Sequence, residues 1–360
     1  MKRISIKPVW TLQDPDRPAL PPRLIELLVQ VQAQGSLLAA CQQLGLSYRH
    51  AWDLVRQGEA HFDTTLLHME RGKGSTLSAL GEKLVWADHR ITARLKPVLE
   101  SLASELATEI SQVLAAPGHN VLRIQASHGF SVEILVDMLA RVHLPVEHKY
   151  DSSTSAAAAL RDGACDVAGF HIPHGPLQSA ALAHYARWLD DPQLVVIDIA
   201  TRRQGLMLAP GNPKKIYELS DLTRAGLRFI NRQAGSGTRF LLEGLLQQAG
   251  VATHRIPGFE HGEFTHAAVA AYVASGMADV GFGLETPARH FKLDFLPLAS
   301  ERYFLLCHAE RLDTPALQQV LSTLRSEAFR IAVDALPGYH AVQPGRVTPL
   351  SQAFVAAQRG

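Results

Sequence analysis

The stretch Phe229-Ile230-Asn231-Arg232-Gln233-Ala234-Gly235-Ser236-Gly237-Thr238-Arg239 decides how the larger part of this chain folds. It reads as the end of a strand, a turn of small residues and the start of a helix running from about Thr238 to Gln248. Gly235 and Gly237 let the backbone turn sharply and approach a ligand closely. Ser236 and Thr238 supply hydroxyl donors, the helix start offers unpaired N–H groups, and Arg232 and Arg239 flank the turn. Together these features make a site for a small anion.

The same rhythm extends on both sides. Residues 121–126, 146–150 and 167–171 read as strands, and 130–141 and 155–161 as the helices between them. This alternation argues for an α/β domain with a largely parallel sheet. In such sheets ligands bind where helices start at the carboxyl ends of strands. Ser127 lies between the first strand and its helix. Ser152, Ser153 and Thr154 precede another, His171 ends a strand, and Thr265-His266 lead into a further helix. Residues 163–170 (GACDVAGF) echo 276–283 (GMADVGFG), which points to two similar lobes; Asp166 and Asp279 then belong to strand-entry turns. Residues 195–200 and 293–298 are candidate strands crossing between the lobes.

Upstream the pattern is different. Leu24, Leu27, Leu28 and Val31 recur at helical spacing, Gly35 stops that helix and Ser36 caps the next, from Leu37 to Leu44. Ser47 caps a third helix that reaches about Phe62, and Gly72-Lys73-Gly74 tips a β-hairpin. Ile4, Ile6 and Trp10 alternate ahead of a proline-rich stretch and predict a short edge strand. Helix, turn, helix and glycine-tipped hairpin make a winged helix-turn-helix, whose third helix enters the DNA major groove. Ser47, Tyr48, Arg49, His50, Asp53 and Arg56 then face the groove, and Arg71 and Lys73 suit phosphates or a minor groove. From Leu80 to Leu114 the apolar residues Ile91, Leu95, Val98, Leu102, Leu106 and Ile110 form a seam of three- and four-residue steps, expected to pair two copies, with a kink or break at Pro97.

Composition bounds the rest. The 360 residues suffice for two or three domains; hydrophobic residues make up 47% and charged residues 19%. A formal charge of +1 means that any DNA contact comes from local clustering. Cys41, Cys165 and Cys307 are too dispersed for a metal pair or a disulfide framework, which fits a cytoplasmic setting. The N-terminus lacks an apolar signal core, and no run is long enough to span a membrane.

Residues 45–53 (GLSYRHAWD), 70–74 (ERGKG) and 77–81 (LSALG) resemble the N-terminal domain of ModE-type molybdate regulators, itself related to the LysR-type winged helix, over about residues 20–110. Residues 126–129 (ASHG), 231–239 (NRQAGSGTR), 263–266 (EFTH), 274–276 (ASG) and Asp279 resemble the PBP-like domain, a relative of type 2 periplasmic binding proteins, over about 121–339. Where relatives often carry His-Asp after the first strand, this chain has His128-Gly129.

The expected fold is an N-terminal all-α winged-helix domain (1–79), a dimerising linker helix (80–116) and a two-lobed periplasmic-binding-protein-like α/β domain (117–348). The resemblance implies a DNA-binding regulator, a homodimer or dimer of dimers on an inverted-repeat operator. It would sense molybdate, tungstate or a small carboxylate such as formate through Ser127, His128, Ser153, Thr154, His171, Arg232, Ser236, Gly237, Thr238, Arg239, Thr265 and His266. No cofactor, metal or catalytic residue is expected. Two other readings are a metal-dependent enzyme built on His254, His261 and His266 near Glu260 and Glu263, and a regulator governed by a protein partner.

Overall fold

The computed structural model describes residues 4–70, 74–114 and 121–354. The chain forms two compact units, Lys7–Leu95 and Met1–Ile6 with Lys96–Gly360, so the division falls inside a helix rather than at its end.

The smaller unit contains α1 (Pro22–Gln34), α2 (Leu37–Leu44), α3 (Tyr48–Phe62), the hairpin β1 (Leu67–Glu70) and β2 (Gly74–Leu77), and the start of α4 (Ala79–Leu114). Local chemistry sets the helix boundaries. Gly35 ends α1 in the left-handed region, and the Ser36 and Ser47 side chains accept the N–H groups of Ala39 and His50. One face of each helix then packs inward: Leu24, Leu28, Ala40, Leu54 and Val55 share a core with Leu66. Each such large apolar side chain contributes about 1.5–3 kcal/mol by leaving water. A Cβ at Gly58 would lie 2.6 Å from both Leu24 and Leu66, so only glycine lets α3 settle this closely.

Two expectations change here. Residues 4–13 form no strand. Pro8, Pro15 and Pro18 withhold ladder donors from this region, and Trp10 instead donates to Asp88 Oδ1 at 2.9 Å. Pro97 does not interrupt α4, which runs as one 36-residue helix. The missing N–H costs one bond in a long cooperative ladder, and the buried ring is held by packing.

The larger unit adds strands β3 (Leu122–Ala126), β4 (Val146–Tyr150), β5 (Val167–Pro173), β6 (Leu194–Leu208), β7 (Phe229–Arg232), β8 (Gly262–Glu263), β9 (Val280–Leu284), β10 (Asp294–His308), β11 (Tyr339–His340) and β12 (Val347–Pro349). Its helices are α5 (Phe130–Arg141), α6 (Ser153–Arg161), α7 (Gln178–His184), α8 (Ala186–Leu189), α9 (Gly237–Gln248), α10 (His266–Ala274), α11 (Glu285–His290), α12 (Pro315–Arg325), α13 (Glu327–Asp334) and α14 (Leu350–Ala353). The sheet order is β4-β3-β5-β10-β6-β9-β7-β8, with β11 and β12 on β6. β3 is parallel to β4 and β5, and β7 to β8 and β9. The two expected crossing strands are longer than the sequence marked. β6 and β10 pair antiparallel from Leu194↔His308 to Leu208↔Asp294 and belong to both lobes.

Helices cover both faces of each lobe. In lobe one α5, α12 and α13 enclose one apolar cluster and α6 and α7 another. In lobe two α9 covers one face and α10 and α11 the other. The short sequence repeat marks a structural one. Asp166 accepts the backbone N–H and guanidinium of Arg123 at the entry to β3, and Asp279 does the same for Arg228 ahead of β7. β4 ends the sheet, and its free donors are taken by α4. Ser104 Oγ accepts the N–H of His148 at 2.8 Å and Ser101 Oγ that of Tyr150 at 2.9 Å.

Candidate functional site

Three helix starts of the larger unit face one cavity. Ser152 caps α6 and bonds the N–H of Ser155; Ser236 caps α9 and bonds that of Arg239; Thr265 caps α10 and bonds that of Ala268. The cavity holds about 40 Å³. At roughly 10–15 Å³ per water, that is space for about three waters. Lobe one lines it with Ser127, His128, Tyr150, Asp151, Ser152, Ser153 and His171, the crossing strand β6 with Arg202, and lobe two with Arg232, Gln233, Ser236, Gly237, Thr238, Phe264, Thr265 and His266.

Ten of the twelve expected ligand residues therefore line one cavity. Thr154 and Arg239 do not. Thr154 Oγ1 lies 3.1 Å from Ser152 Oγ within its own helix start. Arg239 turns to Glu243 and Glu260, at 3.0 and 2.7 Å, and is spent on lobe two. The sequence reading missed Arg202. Arg202 stands opposite Glu301 in the β6–β10 register, a pairing that nothing near either residue in sequence marks.

Among the described residues, three buried polar atoms of cavity-lining side chains, Ser127 Oγ, Arg202 Nη1 and His171 Nε2, have no hydrogen-bond partner. Such groups cost free energy unless something fills their bonds. Arg202 is fully buried and donates from Nε to Glu301 Oε1. Burial opposes its charge, but Glu301 outweighs burial and holds the guanidinium protonated. Arg232 donates to the carbonyls of Glu263 and Phe264, and burial and Arg202 push it down to about 10, so it stays charged at neutral pH. Asp151 lines the cavity with its oxygens engaged by Ser152 N–H at 2.7 Å and Gln125 Nε2 at 3.3 Å. Burial drives His171 down to about 4 and His266 well below 6.5, so both rings are neutral. Two arginines thus stand against two committed carboxylates, Asp151 and Glu301, and attraction rests on fixed N–H and O–H dipoles more than on net charge. His171 Nε2 sits against Gly237 across the lobes; a Cβ there would lie 2.3 Å from it.

His128 Nε2 lies 2.8 Å from Glu133 Oε1, and Glu133 also meets Lys96 of α4 at 3.0 Å. Glu100, His128 and Glu133 are the one cluster with metal-donor spacing among the described residues, and the Lys96 ammonium lies 3.7 Å from Glu100 and 3.0 Å from Glu133. His254 and His261 are exposed while His266 is buried in the cavity, so these three histidines form no such cluster among the described residues.

In the smaller unit Tyr48, Arg49, His50 and Arg56 are exposed on α3, and Asp53 is half-buried with its carboxylate 3.9 Å from Arg56. Ser47 is committed to capping. Trp52 is half-buried and packs against the core. Arg71 and Lys73 lie outside the described residues. On α4, Leu95, Val98, Leu102, Leu106 and Ile110 are each 40–48% exposed along one stripe. Cys41, Cys165 and Cys307 are free and buried, and no described helix is long and apolar enough to cross a membrane.

The chain belongs to the PBP superfamily, whose domain model matches residues 137–325, more than half its length. Residues 22–82 match the model of the bacterial regulatory helix-turn-helix protein, lysR family. It is 32% identical over 199 residues to the uncharacterized protein YvgK of Bacillus subtilis; the match spans 55% of this chain and 64% of that protein, a little under two thirds of its length. It is 33% identical over 94 residues to the molybdenum-pterin-binding protein MopB of Rhodobacter capsulatus, spanning 25% of this chain and 35% of that one. A solved structure of a cysteine-to-serine mutant of Corynebacterium glutamicum OxyR, bound to H2O2, aligns over 87% of this chain and 93% of that one with TM-score 0.45 and 17% identity.

Proposed function

We propose that this LysR-type protein is a transcriptional regulator that binds an inverted-repeat operator as a homodimer and senses a small oxyanion between the lobes of its α/β domain. The observation that carries the sensor reading is a cavity of about 40 Å³ that meets the starts of three capped helices and bears two buried donors, Ser127 Oγ and Arg202 Nη1, without a partner among the described residues. Oxyanions complete such donors with charge-assisted hydrogen bonds and gain from the helix dipoles. The volume is far below the several hundred Å³ of a drug-sized ligand site, which favours an ion of a few heavy atoms. Molybdate and tungstate lead the candidates, supported by the relative whose name records molybdenum-pterin binding. Formate fits the same donors and is the smaller alternative.

The exposed stripe on α4 supports the dimer, since a two-fold axis would bury Leu95, Val98, Leu102 and Leu106 against their copies and present two α3 helices to mirrored half-sites. His128, which lines the cavity, shares Glu133 with Lys96 of α4, giving a bound anion a physical handle on that helix.

The test is a thermal-shift and calorimetric screen of the full chain with molybdate, tungstate, sulfate, phosphate, nitrate and formate. A ligand present at a hundred times its Kd should stabilise the chain by about 2.7 kcal/mol. If no anion binds at millimolar concentration, the sensor reading fails and control by a protein partner becomes the better account.

A further inference from the structure

The larger unit has a second cavity, of about 350 Å³, behind the first. Neighbouring residues of three strands divide between the two. On β5, His171 lines the first and Ile172 the second; on β6, Arg202 and Thr201 do the same; on β10, Glu301 bonds Arg202 while Arg302 lines the second. Successive side chains of a strand point to opposite faces, which sets the two cavities back to back. Ile172, Ala200, Val342 and Phe354 give the second one apolar walls. Its polar centre is two arginines around one carboxylate. Asp198 accepts Arg302 Nε on one oxygen and Arg346 Nε, 3.0 Å away, on the other. Both oxygens are engaged, and the cluster carries one positive charge in excess. Burial and Arg302 hold His174, also on the wall, below its ordinary 6.5, so it adds no charge at pH 8. Arg302 gives Nη1 to the Ala353 carbonyl at 2.8 Å, and its buried Nη2 has no partner among the described residues. Arg346 is exposed, and its Nη atoms make no hydrogen bond among the described residues.

We propose that this second cavity binds a small monocarboxylate with an apolar body, at a site separate from the oxyanion cavity. Ligand pockets commonly hold about 300–1,000 Å³, and this one lies at the lower end of that range. One surplus positive charge matches one carboxylate, whereas a dianion such as phosphate would leave a negative charge unmatched beside Asp198. The Nη pair of Arg346 offers the planar fork that a carboxylate accepts. The apolar walls reward a hydrocarbon body and give a bare inorganic ion nothing. An occupant rests on the reverse face of the strands that carry His171 and Arg202, and β6 and β10 belong to both lobes. It is thereby placed to bias the lobes if it favours one arrangement of them. The inference stands independently of what fills the first cavity.

The experiment is calorimetry of the full chain at pH 8 with hexanoate and phenylacetate as probes. Hexanamide tests the need for the charge and acetate the need for the apolar body. At least one of the two acids is expected to bind at millimolar concentration or below, with hexanamide and acetate at least tenfold weaker. Arg346→Gln removes the fork and the surplus charge and should weaken the acid at least tenfold. Val342→Asp sets a negative charge on the exposed rim and should do the same. Ser127→Ala, in the other cavity, should leave the acid within twofold. The proposal is overturned if neither acid binds at millimolar concentration, or if hexanamide binds as tightly as hexanoate. It is overturned too if Arg346→Gln and Val342→Asp both bind as the wild type does, or if Ser127→Ala abolishes binding, which would place the acid between the lobes. The oxyanion reading is tested by its own ions, so molybdate or sulfate binding survives each of these failures.

Discussion

Replacing Glu133 by Gln tests the electrostatics that join the cavity wall to α4. The Glu133 side chain is 24% exposed and stands between His128 Nε2 at 2.8 Å and Lys96 Nζ at 3.0 Å. Burial alone would raise its pKa; His128 and Lys96 outweigh burial and hold it at about 2 against an ordinary 4.5. At about 1.4 kcal/mol per unit, the difference amounts to roughly 3 kcal/mol. Because the folded value lies below the unfolded one, the unfolded chain binds more protons between the two. The contribution is complete above pH 4.5 and is lost as the pH falls toward 2. Glu133→Gln keeps the shape and removes the charge, so it should cost on the order of 2–3 kcal/mol at pH 7. The gap between variant and wild type should close between pH 4.5 and 2. Urea unfolding followed through Trp188, the one tryptophan in the sequence after residue 95, reads the transition of lobe one. A gap that stays constant from pH 7 to pH 3 would refute the reasoning and reduce Glu133 to a packing residue.

Other outcomes are expected elsewhere in the chain. Gly237→Ala should weaken anion binding at least tenfold in calorimetry, because the new methyl meets His171, itself held by Ser153 and stacked on Tyr303; unchanged affinity would mean that His171 swings aside freely. Leu95→Glu with Leu102→Glu should yield monomers with reduced operator affinity, and light scattering that still finds a dimer would remove α4 as the pairing helix. Arg49→Ala should cost about 1–3 kcal/mol on a specific operator if Arg49 reads a base; an equal loss on random DNA would reassign it to phosphate. Thr265→Ala should cost about 1 kcal/mol of stability through loss of the α10 cap, measured by thermal unfolding without ligand; an unshifted transition would show that solvent or a neighbour replaces the cap.

Much of this architecture is legible in the residues alone, because its causes act within a few positions. The 3.6-residue period of α1, the glycine stop at Gly35 and the serine caps at Ser36 and Ser47 are local bonds and local periodicities, and they stand where the sequence put them. The ends of β3 to β5 were legible within a few residues for the same reason. The failures are equally physical. Alternation at Ile4, Ile6 and Trp10 mimics a strand, but a strand exists only with a partner, and Trp10 found Asp88. Arg232 and Arg239 look alike in sequence; only packing turned the second away to Glu243 and Glu260. Arg202 and Glu301 are 99 residues apart and meet because β6 and β10 share one register. Gln204 and His266 both reach Thr238, from β6 and α10. Sequence determined where helices start and which residues could bind an anion, since those follow from neighbouring atoms. Which of them share a cavity was decided by the tertiary structure, since strand register and burial are properties of the whole sheet.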